Sequence, residues 1–200
     1  MVVRFLTINT FKTFTAMLDT QIKFINVPGL NNSDDWHWQT LWEEQNPSNF
    51  VRVAQEDWDN PEKDKWVVGL KKTIENIKEP IVLVAHSLGC MTVAHYAQQF
   101  DTNAHILGAL LVAPPDVEEF DNAKLNSFAP VPKTKLAFKS VVVGSTNDNY
   151  CPIDKAQKMA DYWGSKFINI GTKGHINSDS DLGAWTQGKS LLRELIFQKD

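Results

Sequence analysis

Residues Ile81 to Cys90, IVLVAHSLGC, decide how this chain is read. Five apolar residues and a histidine run into Ser87, with Ala85 and Gly89 two positions to either side. A short, unbroken apolar run suits a strand buried on both faces of a parallel sheet. Small residues flanking the serine let such a strand turn sharply into a helix and present the hydroxyl at the tip of the turn. The familiar form of that turn is G-x-S-x-G, and alanine here replaces the first glycine, adding one methyl group at a crowded place. A serine at this position also suits a plain helix N-cap, so the motif alone does not separate a nucleophile from a capping hydroxyl.

The surrounding chain does. From Ile22 onward, short apolar or β-branched runs alternate with longer amphipathic stretches, the pattern of an α/β fold with a mainly parallel sheet and helices on both faces. Six strands are expected, at Ile22–Val27, Phe50–Ala54, Ile81–Ala85, Ile106–Val112, Phe138–Gly144 and Phe167–Ile170. Helices are expected over Asp35–Gln45, Pro61–Lys78, Ser87–Phe100, Pro152–Trp163 and Asp181–Phe197. Pro61 and Pro152 suit first helical turns, and Pro80 falls where a helix must have ended before a strand. The stretch from Pro114 to Pro132 is expected to form at most a partial lid. Ligands of such sheets bind beyond the carboxyl ends of the strands, so the segments after each strand carry the chemistry.

Ser87 follows the central strand, and the Leu88 N–H then lies at a helix N-terminus, where free donors and the helix dipole stabilise an oxyanion. A second donor is expected from the turn after the first strand, VPGLN at Val27–Asn31, with the Leu30 N–H as candidate. A serine hydroxyl needs a base, and the base needs an orienting acid. Of the five histidines, His86 adjoins the serine and is expected to point away from it, and His95 and His105 fall on or after the next helix. His175, in the turn GTKGH beyond the last strand, is the candidate base. Asp148, in GSTNDNYC beyond the fifth strand, is the candidate acid, and Asp154 is a weaker alternative already inside the next helix. The order Ser, Asp, His, each after a strand, is that of a hydrolase elbow.

The bulk properties agree with one domain. A chain of 200 residues, 42% of them hydrophobic, fits a domain of roughly 100 to 200 residues and can bury a substantial core without staples. Its formal net charge of −4, with lysines scattered, argues against nucleic acid as a partner. Two cysteines, Cys90 and Cys151, do not make a disulfide framework, so a cytoplasmic setting is expected. No apolar run approaches the roughly 18 residues of a membrane span. Residues 1–21 lack the apolar centre of a secretory signal and are read as an N-terminal extension ahead of a single domain over 22–200.

These residues resemble the small serine hydrolases related to retinoblastoma-binding protein 9 and the bacterial YdeN-like proteins, within the α/β-hydrolase superfamily. The likeness runs from about Ile22 to the C-terminus. It rests on VPGL at Val27–Leu30, HWQ with a following tryptophan at His37–Trp42, and DWDNP at Asp57–Pro61. VAHSLG at Val84–Gly89, SxxDxYC at Ser145–Cys151 and GH at Gly174-His175 complete it. The resemblance implies a three-layer hydrolase fold without a large cap domain and a Ser87, Asp148, His175 triad cleaving an ester or related acyl bond. Some relatives are described through partner binding, so a protein-interaction module on the same fold is the alternative reading.

Trp58, after the second strand, is expected at the pocket mouth, and His37 is a candidate substrate contact or a helix-packing residue. The histidines show no metal-ligand spacing and no glycine-rich phosphate loop is present, so neither metal nor cofactor is expected. Asp57, Asp59, Asp116, Glu118 and Glu119 are expected to rim the opening and turn away strongly anionic substrates.

Overall fold

The computed structural model describes residues 21–100 and 105–197. The first twenty residues, on which the N-terminal-extension reading falls, lie outside them. Six strands, β1 (Lys23–Val27), β2 (Phe50–Arg52), β3 (Ile81–His86), β4 (Ile106–Val112), β5 (Lys139–Gly144) and β6 (Lys166–Asn169), form one sheet in the order β2-β1-β3-β4-β5-β6. Every neighbouring pair is parallel. Among the described residues, five α-helices cover it: α1 (Trp38–Gln45), α2 (Lys63–Glu75), α3 (Leu88–Gln99), α4 (Ile153–Trp163) and α5 (Thr186–Phe197).

Successive side chains on a strand point to opposite faces, so each buried strand feeds two cores. Ile25, Leu83, Ala85, Leu111 and Val142 pack with Trp66 and Leu70 of α2, Ala94 of α3 and Trp163 of α4 on one face. Phe24, Val82, Val84, Leu110, Val112 and Val143 pack with Trp38 and Trp42 of α1 and Leu192 of α5 on the other. The result is the expected three-layer sandwich, and the segment between β4 and β5 carries only a short 3-10 helix at Ala123–Phe128 rather than a cap domain.

The boundaries move where local chemistry overrides the hydrophobic pattern. Helix α1 starts at Trp38, three residues later than expected, because His37 takes an extended N-cap conformation and its side chain accepts the Gln39 N–H. Helix α5 starts at Thr186 rather than near Asp181, because Asp181, Gly183 and Trp185 all hold positive φ. A 3-10 turn at Ser178–Ser180 precedes that bend. The edge strand β2 ends at Arg52, two residues earlier than expected, and the Arg52 side chain donates to Asn32 Oδ1 and Thr40 Oγ1.

From β1 the chain crosses to β2 at the sheet edge and then returns through α2 to β3 on the other side of β1. That reversal separates the loops leaving β1 and β3 and opens a crevice at their carboxyl ends. Val27 and Ala85 are register partners there, so the VPGL turn and the serine turn emerge side by side.

Candidate active site

Ser87 occupies the tip of the turn between β3 and α3 with φ 53° and ψ −126°. Few non-glycine residues adopt that conformation, and the packing around it holds it in place. A Cβ built on Gly89 would lie 2.0 Å from the Val27 carbonyl oxygen, which explains the glycine after the serine. Although Ser87 is the N-cap of α3, its side chain makes no capping hydrogen bond. The hydroxyl is instead 2.8 Å from His175 Nε2. His175 Nδ1 lies 3.0 and 2.9 Å from the two carboxylate oxygens of Asp148. Asp148 is held in turn by the Tyr150 N–H, which donates to Oδ1 at 2.9 Å. Its side chain is 3% exposed and that of His175 10%, so the pair is shielded from competing water.

The three side chains come from loops after β3, β5 and β6, as the sequence order implies. Asp154, the alternative acid, sits in the first turn of α4 with its carboxylate 3.8 Å from Lys158 Nζ and 68% of its side chain exposed. The turn after β1, which carries the Leu30 N–H expected to face an oxyanion, adjoins the serine. Gly29 packs so tightly against the turn that a Cβ there would stand 2.7 Å from Ser87 Cβ and 3.1 Å from the Leu88 N. Among the described residues, no protein acceptor takes the Leu30 or Leu88 N–H. Asn31 and Asn32 both have positive φ, and the turn is pinned from below by the Arg52 guanidinium, which donates to Asn32 Oδ1 and the Ser33 carbonyl, each at 3.0 Å.

A cavity of about 260 Å³ opens over Ser87 and His175. Leu30, Pro115 and Leu125 supply its apolar walls, and Asn32, Asn122 and Asn177 supply amides. Pro115, Asn122 and Leu125 belong to the expected partial lid, which therefore forms one wall. The acidic residues on the lining are Asp34 and Asp179, and no lysine or arginine is among the lining residues. The five acidic residues expected at the rim are elsewhere. Asp57 folds back to accept the Asp59 and Asn60 N–H groups, and Asp116 is buried in an ion pair with Lys155.

Trp58 is also displaced from its expected place. Its ring packs edge-on to Trp66 at 5.4 Å and is absent from the cavity lining, while its carbonyl accepts the Asn31 N–H and so supports the turn after β1. Proximity to a strand end in sequence did not reveal that this ring turns toward the α2 side. His37 does line the cavity, and it also performs the packing role as the cap of α1. It is 3% exposed and its Nε2 has no partner within the protein. His86, expected to point away from Ser87, turns to His175: its Nε2 is 2.9 Å from the His175 carbonyl, which fixes a proton on that nitrogen. Nothing in the serine motif signals this contact, because it joins residues 89 positions apart.

Burial lowers the His37 pKa from 6.5 to about 4, with Arg52 and His175 adding to the effect and Asp34 opposing it. His86 is pushed well below the usual imidazole range by the same desolvation. Between pH 6.5 and about 4 the unfolded chain therefore binds protons that the folded chain refuses. The stability from neutral His37 is complete above pH 6.5 and is lost as pH falls through about 4. His37→Asn, which keeps a capping oxygen, is expected to flatten the fall of unfolding free energy across that window, measured by urea titration at stepped pH. An unchanged slope would remove His37 from the acid response.

A family model described as serine hydrolase matches residues 24–194. The chain belongs to that family. A presumed YdeN-like hydrolase from Pectobacterium atrosepticum is similar to this serine hydrolase at 29% identity and a TM-score of 0.80, over 92% of this chain and 95% of that one. The YdeN protein of B. subtilis shares the fold at 17% identity and a TM-score of 0.72, over 90% of this chain and all of that one. Est1E from Butyrivibrio proteoclasticus shares it at 13% identity and a TM-score of 0.63, covering 88% of each chain. A search among curated proteins found no match. No described helix of the serine hydrolase is long and apolar enough to cross a membrane.

Proposed function

We propose that this serine hydrolase cleaves a small carboxylic ester, or a related acyl bond, through an acyl-enzyme on Ser87. The observation that carries the reading is the continuous chain of short contacts from Ser87 Oγ through His175 to Asp148. Ser87 Oγ attacks the carbonyl carbon while its proton passes to His175 Nε2. The Leu88 and Leu30 N–H groups receive the oxyanion. Collapse of the tetrahedral intermediate breaks the bond to the leaving group, which takes the proton from His175. Water then repeats the sequence: it gives a proton to His175, attacks the acyl carbon, and releases the acid as Ser87 recovers its proton. Asp148 holds the His175 tautomer that can accept from serine and offsets the transient imidazolium charge.

The reading is tested by labelling the folded chain with a fluorophosphonate and mapping the adduct. Modification of Ser87 that tracks loss of ester turnover supports it. A folded protein that never labels favours the protein-interaction reading instead.

The substrate is small and not anionic on this reading. The cavity over Ser87 has a volume of about 260 Å³, which favours a small acyl group, and its charged lining residues include the carboxylates Asp34 and Asp179. Carboxylates at the opening repel a phosphate-rich leaving group. Values of kcat/KM are expected to be higher for p-nitrophenyl acetate and butyrate than for long-chain esters or acyl-coenzyme A thioesters. Preference for long-chain acyl-coenzyme A would sink the substrate assignment.

A further inference from the structure

His175 lies in a turn closed by the Ile176 N–H on the Lys173 carbonyl at 3.1 Å, and its backbone is unusual. Gly171, Gly174 and Ile176 all have positive φ, at 78°, 55° and 52°. For a β-branched residue such as Ile176 that conformation is strained, so outside contacts must maintain it. Ser145 Oγ and Asn147 Oδ1 accept the Lys173 and Gly174 N–H groups before His175, and at His175 and Ile176 two ring N–H groups donate to consecutive carbonyls. His86 Nε2–H donates to the His175 carbonyl at 2.9 Å, and Trp38 Nε1–H donates to the Ile176 carbonyl at 2.8 Å.

Both donors sit at places that matter for the site. His86 is the residue before Ser87, and Trp38 opens α1 directly after the loop that carries Leu30. Their rings belong to one packed group: His37 is 4.6 Å from His86 and 5.2 Å from Trp38, and Trp38 is 5.1 Å from Trp185. His86 is 5% exposed and Trp38 1%. Such rings have little freedom to rotate, so a hydrogen bond from them fixes position as well as satisfying a polar atom. The His86 ring also stands 4.9 Å from the His175 ring itself.

We propose that His86 and Trp38 are positioning residues that clamp the base loop, holding His175 in register with Ser87 through His86 and with the oxyanion turn through Trp38. The clamp rests on His175 being the base. It explains a feature of this chain that the serine turn alone leaves unexplained, namely why a bulky polar ring occupies the buried position between Ala85 and Ser87. A leucine there would fill the space but leave the His175 carbonyl without its donor.

The test compares His86→Leu, which removes the donor, His86→Gln, whose amide nitrogen can restore it, and Trp38→Phe, which removes one N–H and keeps an aromatic ring. Two readouts are taken: steady-state hydrolysis of p-nitrophenyl acetate, and the downfield proton resonance of the His175 Nδ1–H···Asp148 bond at low temperature. Misplacement of a reacting group by about 1 Å costs on the order of 10²-fold in rate. His86→Leu is therefore expected to lower kcat by about 10²-fold with KM within about twofold, and His86→Gln to recover most of the loss. The resonance should broaden or vanish in His86→Leu and return in His86→Gln, and Trp38→Phe should fall between.

A folded His86→Leu with a sharp resonance and kcat within about threefold of the parent overturns the clamp, since positioning should cost far more. If His86→Leu does not fold, Trp38→Phe decides by the same two readouts, and parent-like values there overturn it. The resonance does not require turnover. A parent that hydrolyses no p-nitrophenyl acetate while its resonance still depends on His86 would remove the ester assignment and leave the clamp on His175 standing.

Discussion

Ser87→Ala is expected to lower ester turnover by on the order of 10⁵- to 10⁶-fold while leaving the melting temperature within about 2 °C of the parent. The Ser87 hydroxyl makes no capping bond to α3 and has His175 Nε2 as its partner, so its removal deletes one hydrogen bond and no packing. Alanine keeps the Cβ that already tolerates φ 53°. What remains is substrate binding and the oxyanion donors, which by themselves give only residual catalysis. Hydrolysis of p-nitrophenyl acetate and a thermal melt on the same preparation check both halves. A mutant that fails to fold would mean the hydroxyl is structural; one that still turns over ester would place the nucleophile elsewhere.

Asp148→Asn is expected to lower kcat by about 10⁴-fold, again with the fold intact. The geometry dictates which end of the amide faces which neighbour. Tyr150 N–H donates to Asp148 Oδ1, so the asparagine oxygen stays toward Tyr150 and the NH₂ group turns to His175. An NH₂ group in the Oδ2 place, 2.9 Å from His175 Nδ1, competes as a donor with the oxygen 3.0 Å away and favours Nδ1 as acceptor, which moves the ring proton to Nε2. That tautomer cannot accept from Ser87, so the loss comes from a wrongly placed proton rather than from a missing contact. Asp154 does not replace the acid, because its carboxylate is on exposed α4 beside Lys158. Turnover near the parent rate in Asp148→Asn would show that His175 does not depend on this carboxylate.

Much of this architecture was legible before any coordinates because it depends on short-range patterns. Ile81–Ala85 could only be a strand buried on both faces, and the alternation of such runs with amphipathic stretches leaves few alternatives to a parallel sheet between helices. Ser87, Asp148 and His175 were legible as candidates by the same logic, since each stands in a segment just beyond a strand. Helix starts were less legible. The His37 cap and the run of positive φ before Thr186 are local events that an apolar periodicity does not register.

Side-chain direction was the largest unknown. Trp58 follows a strand end yet turns to Trp66, and Asp116 lies beyond β4 yet is drawn into a pair with Lys155. Asp34 and Asp179 took the acidic lining positions that five other carboxylates had been expected to hold. Sequence position says on which end of the sheet a residue emerges, but a loop side chain has several rotamers and chooses among them by neighbours distant in the chain.

By itself, then, the sequence determined the parallel sheet, its layers and the order of the candidate site residues, because hydrophobic period and small-residue spacing are written within a few positions of each other. Only the tertiary structure decided what holds those residues still. The donors to the His175 and Ile176 carbonyls come from residues 89 and 138 positions away, and contacts of that span exist only once α1, β3 and the loop after β6 have packed together. Hydrogen-bond geometry at such separations is a product of the fold, with no local pattern to announce it.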